Sequence, residues 1–375
     1  MTPRHHERYE TLVHFKRAAA LAGLLLVSTM LSLLLAEGLA RVLSPFPDAH
    51  DKLWMLGSPT FQTDDGGAVR YLPNQTVRSV MLQDGEIVYD VRFDTNDLGF
   101  LDHEDYSSDG ERPADARRMV FVGDSYTAGF HGGTPWVPAL RDEARRADPD
   151  LAIYNLGVSG SGFEQFSRLV HSASAQLDFS EIVILAISDD FWRGSWTPLA
   201  TDDALRFCGA DKPRPVCLAS VPPVARIFDP ALHQTQLPAL AARLRDGEQK
   251  RPPRLRDRVT DTSRLAALLH QQYRRLKLRL LTSKSLVNLA DLRKSFPDKT
   301  IRFIHLPSMR ELARGDYDLC LRDDIAEMGI EYFPAMTACD WPERMFIPED
   351  GHPNAVGYAA ISRCVANYLG LVPQI

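Results

Sequence analysis

The sequence predicts an α/β fold in which helices cover both faces of a parallel sheet. Short, nearly continuous apolar runs are typical of strands buried on both faces of such a sheet. Stretches with apolar residues at helical spacing stand between these runs, and strands that alternate with helices favour parallel pairing. The predicted strands are 118–122, 151–155, 181–187 and 300–306, and the predicted helices are 136–147, 162–177 and 355–369.

Two segments depart from this alternation. Residues 87–94 alternate between apolar and polar side chains and run into a turn at Thr95–Gly99, so residues 44–116 are expected to form a linker and a small β-rich arm. Residues 192–299 contain proline-rich and basic helical stretches and are expected to be an insertion that forms a cap or lid. The main domain is therefore expected to span 117–375.

The N-terminal region indicates the compartment. Residues 18–36 form an uncharged run of mainly Leu and Ala that is about long enough to cross a bilayer core as a helix. Four basic residues lie within 1–17 and a single one, Arg41, closely follows the run, so the basic end is expected in the cytoplasm. We therefore expect a cytoplasmic tail, a single-pass membrane anchor and an extracytoplasmic, periplasmic domain. The alternative is a cleaved signal peptide, although the run is long for one and lacks a clean cleavage site.

Composition limits the classes of partner. The chain has 375 residues, of which 45% are hydrophobic and 25% charged, as is ordinary for a globular protein. A net charge of -6 disfavours nucleic acid as a partner, because phosphate binding needs a basic surface. The five cysteines lack the close paired spacing of a zinc site. No metal and no organic cofactor is therefore implied.

The cysteines fit an exported protein. Cys208 and Cys217 bracket a turn-rich loop that a disulfide could close, and Cys320 and Cys339 could form a second pair. Cys364 stands in an apolar helical pattern and is expected to be a buried free thiol. The alternative is that all five are reduced, since spacing alone does not fix connectivity.

A serine follows the first predicted strand, in the run Val122-Gly123-Asp124-Ser125. Ligands of open parallel sheets bind at the carboxyl ends of the strands, so this hydroxyl is expected to face a crevice. A helix that begins there can offer backbone N–H groups to a developing oxyanion. The alternative is that Gly-Asp-Ser forms only a turn and a helix cap.

A glycine-rich loop follows the second predicted strand, over residues 155–162. Such a loop can bring backbone N–H groups close to an oxyanion. The alternative is a simple strand-to-helix turn. A phosphate-binding loop fits less well, because the terminal Lys-Ser/Thr pair is missing.

A histidine stands near the C-terminus, in the run Glu349-Asp350-Gly351-His352-Pro353-Asn354, just before the last predicted helix. A serine hydroxyl becomes a good nucleophile only when a base takes its proton, and histidine suits that task near neutral pH. A carboxylate must orient the imidazole and stabilise its charged form. His352 has acidic neighbours that could do so.

These three segments, in this order, resemble the SGNH/GDSL hydrolase family over residues 118–190 and 300–369. The resemblance implies a flavodoxin-like three-layer α/β/α fold and the hydrolysis of esters. It also implies Ser125 as the nucleophile and as a backbone oxyanion donor, Gly160 as a second donor, and His352 as the base.

The sequence departs from the family pattern in two places. Family members usually carry an Asn donor after the third strand, where this chain has Ser188 and Asp189. An ionised carboxylate donates no hydrogen bond, so either Asp189 is protonated, or Ser188 donates, or only backbone groups do. The acid of the triad is Glu349 by the commoner family spacing or Asp350 by the Asp-Gly-His-Pro-Asn pattern. Asp350 is favoured, because its shorter side chain suits the shorter reach.

The sequence thus predicts an extracytoplasmic serine esterase that acts on acyl esters, including O-acetyl esters of carbohydrates, through an acyl-enzyme. An O-acyltransferase acting on a polysaccharide, or a non-catalytic scaffold of an envelope assembly, is the alternative. The remaining candidates are expected to have structural roles: Asp124 as a brace of its loop, His305 as a core residue, and Trp192 and Trp196 as packing residues.

Overall fold

The structure is a computed structural model of the full chain. It describes residues 3–43, 53–56, 61–83, 86–106, 113, 115–133, 135–193, 196–201, 204–209, 259, 262–348 and 350–371. The strands are β1 (Leu53–Leu56), β2 (Phe61–Thr63), β3 (Val69–Tyr71), β4 (Thr76–Gln83), β5 (Glu86–Asp94), β6 (Arg118–Gly123), β7 (Ala152–Gly157), β8 (Glu181–Ala186), β9 (Trp196–Thr201), β10 (Ala204–Gly209), β11 (Thr300–His305) and β12 (Glu331–Pro334). The helices are α1 (Pro3–Leu43), α2 (Ser125–Ala128), α3 (Trp136–Ala144), α4 (Phe163–Ser174), α5 (Asp190–Arg193), α6 (Arg264–Ser295), α7 (Met309–Arg314), α8 (Arg322–Glu327), α9 (Ala335–Ala338) and α10 (Ala355–Leu369).

Five strands form the central sheet, in the order β12-β11-β8-β6-β7, and every neighbouring pair is parallel. The chain runs outward from β6 to β7 and then returns to β8 on the other side of β6. This is the flavodoxin-like order, in which the switch point lies between β6 and β8. The predicted fold class is confirmed, and the switch point is where a ligand is expected to bind.

The sheet is covered on both faces. Val120 and Val122 of β6 pack into one apolar cluster, together with α4 and the second half of α6. Met119 and Phe121 of the same strand pack into the other cluster, with α3 and α10. Each fully buried side chain of this kind contributes about 1.5–3 kcal/mol to stability. The even burial of both faces explains why these strands read as continuous apolar runs.

The segment between the N-terminal helix and the sheet is rich in strands. Strand β4 pairs antiparallel with both β1 and β5, and β2 pairs with β3. Phe61, Tyr71 and Phe93 from this segment pack into the same apolar cluster as Val120 and Val122. The segment therefore shares the core of the sheet rather than forming a core of its own.

The predicted insertion contains the antiparallel pair β9–β10 and the whole of α6. Leu289 and Leu292 of α6 are buried in the core, and the Ser285 hydroxyl donates to the Phe191 carbonyl over 2.5 Å. Residues 210–258 lie outside the described residues. They include Cys217, so the predicted pairing of Cys208 with Cys217 stays a prediction.

The other cysteine predictions are wrong. Cys339 and Cys364 form a disulfide with their Cα atoms 5.6 Å apart, and Cys320 is exposed and free. Cys364 was expected as a free thiol because it lies on the buried face of α10. Cys339 packs against the same apolar cluster from the segment after α9. The pairing therefore follows from tertiary packing, which sequence spacing does not encode.

A separate compact unit contains residues 1–50 and 250–275. Its helix α1 is apolar and long enough over Ala19–Leu43 to cross a membrane. Near the end of α1, the Glu37 carboxylate accepts hydrogen bonds from the backbone N–H groups of Arg264 and Leu265, each over 2.9 Å. These are N–H groups at the start of α6 that have no acceptor within the helix, so Glu37 caps α6.

Candidate active site

Ser125 lies at the carboxyl end of β6, next to the switch point of the sheet. Strand β6 ends at Gly123, and Ser125 is the first residue of α2. The Asp124 carboxylate caps this short helix by accepting from the Tyr126 N–H over 2.8 Å. A Cβ atom at position 123 would lie 2.0 Å from the Thr127 hydroxyl, so only glycine fits. The tight turn presents the Ser125 hydroxyl at the edge of the sheet.

His352 lies on a compact loop that leads into α10. The Ile347 N–H donates to the His352 carbonyl over 2.8 Å, and the Gly351 N–H donates to the Ile347 carbonyl over 3.0 Å. Gly351 has a φ of 79°, in the left-handed region that favours glycine. Asn354 caps α10 by accepting from the Gly357 N–H over 3.0 Å. Both ends of the loop are therefore fixed.

The two loops meet at one hydrogen-bonded chain. His352 Nε2 lies 2.9 Å from Ser125 Oγ, and His352 Nδ1 lies 2.7 Å from Asp350 Oδ2. With Nδ1–H donating to the carboxylate, Nε2 carries a lone pair that accepts from the serine hydroxyl. The structure thus brings together Ser125, Asp350 and His352, although Ser125 and His352 are 227 positions apart in the sequence. Glu349 lies outside the described residues.

A second histidine, His131, was not singled out in the sequence. Its ring stacks on the His352 ring with the centroids 3.7 Å apart and the planes 5° apart. Burial, followed by the charge of His352, lowers the pKa of His131 well below its usual range. The side chain is therefore neutral at physiological pH. No periodicity marks this position, which lies in the glycine-rich run after α2.

Two tyrosines also contact the site. The Tyr126 hydroxyl donates to the Gly351 carbonyl over 2.7 Å, which ties the serine turn to the histidine loop. The Tyr358 hydroxyl on α10 lies 3.4 Å from the Ser125 carbonyl. Burial raises the pKa of both tyrosines well above the usual value, so both remain hydrogen-bond donors.

The glycine-rich loop after β7 lies beside the serine turn. A Cβ atom at Gly157 would be 2.3 Å from the Ala128 nitrogen, so the two loops pack backbone against backbone. The Asn155 carboxamide fixes the loop by accepting from the Gly157 N–H over 3.0 Å. Gly160 has a φ of 76° and is partly exposed. Its N–H makes no hydrogen bond within the described part of the chain.

Ser188 and Asp189 follow β8 and have different surroundings. The buried Ser188 hydroxyl donates to Glu311 Oε1 over 2.5 Å and lies 3.0 Å from His305 Nε2. The Asp189 carboxylate lies 3.5 Å from Arg310 Nη2 and is partly exposed. The Ser188 hydroxyl is thus committed to a buried network rather than to the site.

His305 belongs to that buried network. Its Nδ1 lies 2.8 Å from the Tyr332 hydroxyl, so both ring nitrogens have partners. Burial lowers the pKa of His305 to about 3. The side chain is neutral and satisfied, as a core histidine should be.

An arginine contacts the serine turn. Arg193 Nη1 is 2.7 Å from Asp124 Oδ2 and 2.7 Å from Asp190 Oδ1. Both carboxylates are buried. Burial is the main cause that raises the pKa of Asp190 well above its usual range. Asp124 therefore does more than accept a backbone hydrogen bond in its own loop.

An open, flavodoxin-like parallel sheet with a serine and a histidine at its switch point defines an α/β protein of the hydrolase class. The family model of the GDSL-like Lipase/Acylhydrolase matches residues 119–365. The chain therefore belongs to this family and is an ester-hydrolase-type enzyme. None of the curated proteins matches the sequence.

The solved structures that are similar to this chain include the following three. LAE5, an alpha/beta hydrolase enzyme from the metagenome of Lake Arreo in Spain, is 14% identical, with 71% of this chain and 100% of that chain covered and a TM-score of 0.38. A lipase/acylhydrolase from Enterococcus faecalis is 13% identical, with 68% and 95% covered and a TM-score of 0.34. A catalytic mutant of Axe2, an acetylxylan esterase from Geobacillus stearothermophilus, is 12% identical, with 71% and 100% covered and a TM-score of 0.38. Likenesses at this level carry no argument about substrate.

Proposed function

We propose that the protein is a membrane-anchored serine esterase that cleaves acyl esters with Ser125 as nucleophile, His352 as base and Asp350 as the orienting acid. One observation carries this proposal. The Ser125 hydroxyl lies 2.9 Å from His352 Nε2, while the other ring nitrogen lies 2.7 Å from Asp350. A serine, a base within hydrogen-bond reach and a third group on the base form the arrangement that activates a hydroxyl.

In the proposed reaction, Ser125 Oγ attacks the ester carbonyl carbon while His352 Nε2 takes the hydroxyl proton. The carbonyl oxygen becomes an oxyanion, for which the backbone N–H groups of Ser125 and Gly160 are the proposed donors. The tetrahedral intermediate collapses, the alcohol leaves with the proton from His352, and the acyl group remains on Ser125. Water then attacks the acyl-enzyme, His352 takes its proton, and the carboxylic acid leaves with the Ser125 hydroxyl restored.

Asp350 is the better candidate for the acid. Its carboxylate accepts from the ring Nδ1–H over 2.7 Å and also lies 3.3 Å from the His352 backbone nitrogen. The side chain therefore spans its own tight loop and holds the ring in the tautomer that the reaction needs. Replacement of Asp350 by Asn would leave an amide that does not stabilise the imidazolium.

The compartment is part of the same proposal. Helix α1 is long and apolar enough over Ala19–Leu43 to anchor the chain, and the basic residues of its N-terminal side favour a cytoplasmic start. The hydrolase domain would then lie outside the cytoplasm, in the periplasm. Acyl esters of envelope or secreted carbohydrates, O-acetyl esters among them, are the substrates that such a location offers.

The decisive test follows one turnover of p-nitrophenyl acetate. We expect a burst of nitrophenol stoichiometric with enzyme in the wild type, no burst in Ser125→Ala, and a loss of at least about 10³-fold in His352→Ala. A fluorophosphonate probe should label the wild type on Ser125. A chain that folds but neither bursts nor takes the label on Ser125 would refute the esterase proposal.

A transferase differs only in the acceptor of the acyl group. If a sugar hydroxyl replaces water in the second step, the same residues transfer the acyl group to a carbohydrate. Addition of soluble oligosaccharide after the burst separates the two: faster turnover with an acylated sugar as product indicates transfer, and unchanged release of acetate indicates hydrolysis.

A non-catalytic scaffold is favoured by one feature, the carboxylate of Asp189 where the family has an amide donor. If the wild-type site has lost its activity through this carboxylate, the wild type should show a negligible esterase rate and Asp189→Asn should raise it substantially. If the wild type already turns over at an enzymatic rate, the same substitution should change the rate little, because the Asp189 carboxylate is then not the missing donor.

A further inference from the structure

Arg193, the last residue of α5, contacts the loops after β6 and β7. Its Nη1 lies 2.7 Å from Asp124, on the loop after β6, and 2.7 Å from Asp190, the first residue of its own helix. A Cβ atom on Gly162, in the loop after β7, would lie 2.7 Å from Arg193 Cβ. Gly162 is thus the residue type that lets the arginine reach this position. The side chain crosses the switch point of the sheet, where a ligand of this fold binds.

The arginine is also close to the nucleophile. The Ser125 hydroxyl lies 3.3 Å from Asp124 Oδ2, the same oxygen that contacts Arg193 Nη1 over 2.7 Å. The charged nitrogen is therefore at most about 6 Å from Ser125 Oγ, within the range in which a charge acts strongly on its neighbour.

Acidic groups lie around Ser125, and a new negative charge there needs a cation nearby. Asp124 and Asp190 are buried, and Asp189 lies at the end of the same loop. An oxyanion formed on Ser125 would add a further negative charge to this group. Arg193 meets that need: burial lowers the pKa of its guanidinium, but the charges of Asp190 and Asp124 outweigh burial and raise it. Arg193 therefore stays charged throughout the reaction.

The usual side-chain donor is missing. Asp189 offers a carboxylate, and the Ser188 hydroxyl donates to Glu311. The guanidinium of Arg193 has five N–H donors in a fork. Its two carboxylate partners both contact Nη1, and Nη2 and Nε make no hydrogen bond to the described residues. The Arg193 side chain as a whole is 21% exposed.

We infer that Arg193 is a catalytic residue that supplies the third donor of the oxyanion hole, in place of the amide that the family resemblance leads one to expect at position 189. The inference rests on the proposed esterase function. The guanidinium would donate to the oxyanion of the tetrahedral intermediate together with the backbone N–H groups of Ser125 and Gly160. A charged donor there stabilises the transition state more than the neutral carbonyl of the substrate, so it raises the acylation rate rather than the affinity.

The experiment uses the full-length protein in detergent and compares Arg193→Gln and Arg193→Lys with the wild type. Arg193→Gln should lower the acylation rate with p-nitrophenyl acetate about a hundredfold while KM changes little. Arg193→Lys keeps the charge but loses the fork and should lie between the two. The affinity for phenylboronic acid, which forms an anionic adduct on the serine, should fall in parallel with the rate.

The rival role for Arg193 is that of a counter-ion for Asp190. The double variant Arg193→Gln/Asp190→Asn separates the two, because it removes Asp190 together with the arginine and leaves Asp124 its hydrogen bond from the Tyr126 N–H. We expect this variant to be more stable to heat than Arg193→Gln and to stay slow. If it regains the wild-type acylation rate, Arg193 is only a counter-ion and the inference is overturned. If Arg193→Gln alone does not fold, the double variant and Arg193→Lys still decide the matter.

Arg310→Gln is the matched control, because Arg310 is an exposed arginine that contacts the same group of acids through Asp189 alone. Its acylation rate should stay within about threefold of the wild type. An Arg193→Gln variant that acylates as fast as Arg310→Gln would overturn the inference while leaving the esterase proposal intact. A wild type that shows no burst and no labelling of Ser125 would end both.

Discussion

At the scale of single residues, the ring of His352 is held on several sides. Asp350 and Ser125 occupy its two nitrogens, and the face of the ring lies on His131. The Tyr126 hydroxyl donates a hydrogen bond to the carbonyl of Gly351, the residue before His352. Because His131 is buried and neutral, its π face can lie against an imidazolium without adding a second charge. The contact would therefore orient the base without raising the cost of its protonation.

This contact predicts unequal effects of two substitutions. His131→Ala leaves a gap beside the His352 ring and should lower kcat about tenfold or more, because small displacements of a base are costly. His131→Phe keeps a flat ring and should stay within about threefold of the wild type. Steady-state kinetics with p-nitrophenyl acetate measure both. Equal losses in the two variants would show that the nitrogen atoms of His131, and not its flat face, matter.

The same histidine predicts a pH dependence of stability. The folded state holds the pKa of His131 well below the unfolded value of about 6.5, so the unfolded chain binds an extra proton once the pH falls below that value. Stability from this group is complete above about pH 6.5 and is lost as the pH falls. Its slope is about 1.4 kcal/mol per pH unit. His305, with a pKa of about 3, adds the same slope between about pH 6.5 and 3.

Urea unfolding between pH 7.5 and 5 measures this effect. His131→Phe should lose less free energy of unfolding than the wild type over that interval, because one proton fewer is taken up on unfolding. Above pH 7.5 the two proteins should show the same pH dependence, because His131 is neutral there in both the folded and the unfolded state. Parallel curves below pH 7.5 would mean that His131 is not held neutral in the folded state.

Some residues of the site can be identified from the sequence and others cannot. Ser125, Asp350 and His352 stand in short contiguous motifs whose chemistry is local, so the sequence could nominate all of them, and the structure brings them within hydrogen-bond distance. Arg193 and His131 have no motif. Each acquires its place only when separate loops meet, and such a meeting depends on the sheet order rather than on spacing along the chain.

At the scale of elements, the disulfide closes the segment that carries the histidine loop. Cys339 and Cys364 are 25 positions apart, and both Asp350 and His352 lie between them. The bond ties the entry of this segment to the buried face of α10. Disulfides persist mainly outside the cytoplasm, which agrees with the proposed location.

We expect the double variant Cys339→Ser/Cys364→Ser to lose about 3–4 kcal/mol in the free energy of unfolding, the value for a closed loop of this length. Urea unfolding measures it, and the burst assay should show a less active enzyme because the loop that holds His352 is freer. Cys320→Ser, at an exposed free cysteine, should change neither quantity. A double variant as stable as Cys320→Ser would indicate that the bond does not form in the native protein.

The strands show why some elements can be predicted and others cannot. Strands β6, β7, β8 and β11 were predicted to within two residues, because burial on both faces leaves a continuous apolar run. Strand β12 was missed. It has four residues, lies at the edge of the sheet and carries no fully buried side chain, so its pattern resembles that of a loop. The short helices α2 and α5 have four residues each, too few for a helical periodicity.

At the scale of the whole molecule, the apolar helix is longer than the sequence indicated. The run without charges is 18–36, whereas the helical segment fit to cross a membrane is Ala19–Leu43 and includes Glu37 and Arg41. These two residues form an ion pair over 2.6 Å one helical turn apart. The ion pair lowers the free-energy cost of placing both charges near the end of a membrane span. The end of the uncharged run at residue 36 therefore does not mark the end of the apolar helix.

This helix and the location of the hydrolase domain can be tested together on the native chain. The protein should remain with membranes after alkaline carbonate extraction, and Leu31→Arg, at the middle of the span, should weaken that association because a central arginine costs about 2.5–3.5 kcal/mol. Intact N-terminal residues in the mature protein, seen by mass spectrometry, separate an anchor from a cleaved signal peptide.

The exposed thiol of Cys320 then reports the side of the membrane. A maleimide that cannot cross membranes should label the wild type in spheroplasts without lysis, and Cys320→Ser should show the background from the other cysteines. The disulfide and the maleimide label both test whether the hydrolase domain lies outside the cytoplasm. The bond needs an oxidising compartment, and the reagent needs one that it can reach without crossing a membrane. Labelling of Cys320 only after lysis would place the domain in the cytoplasm, where a bond between Cys339 and Cys364 would not be expected to persist.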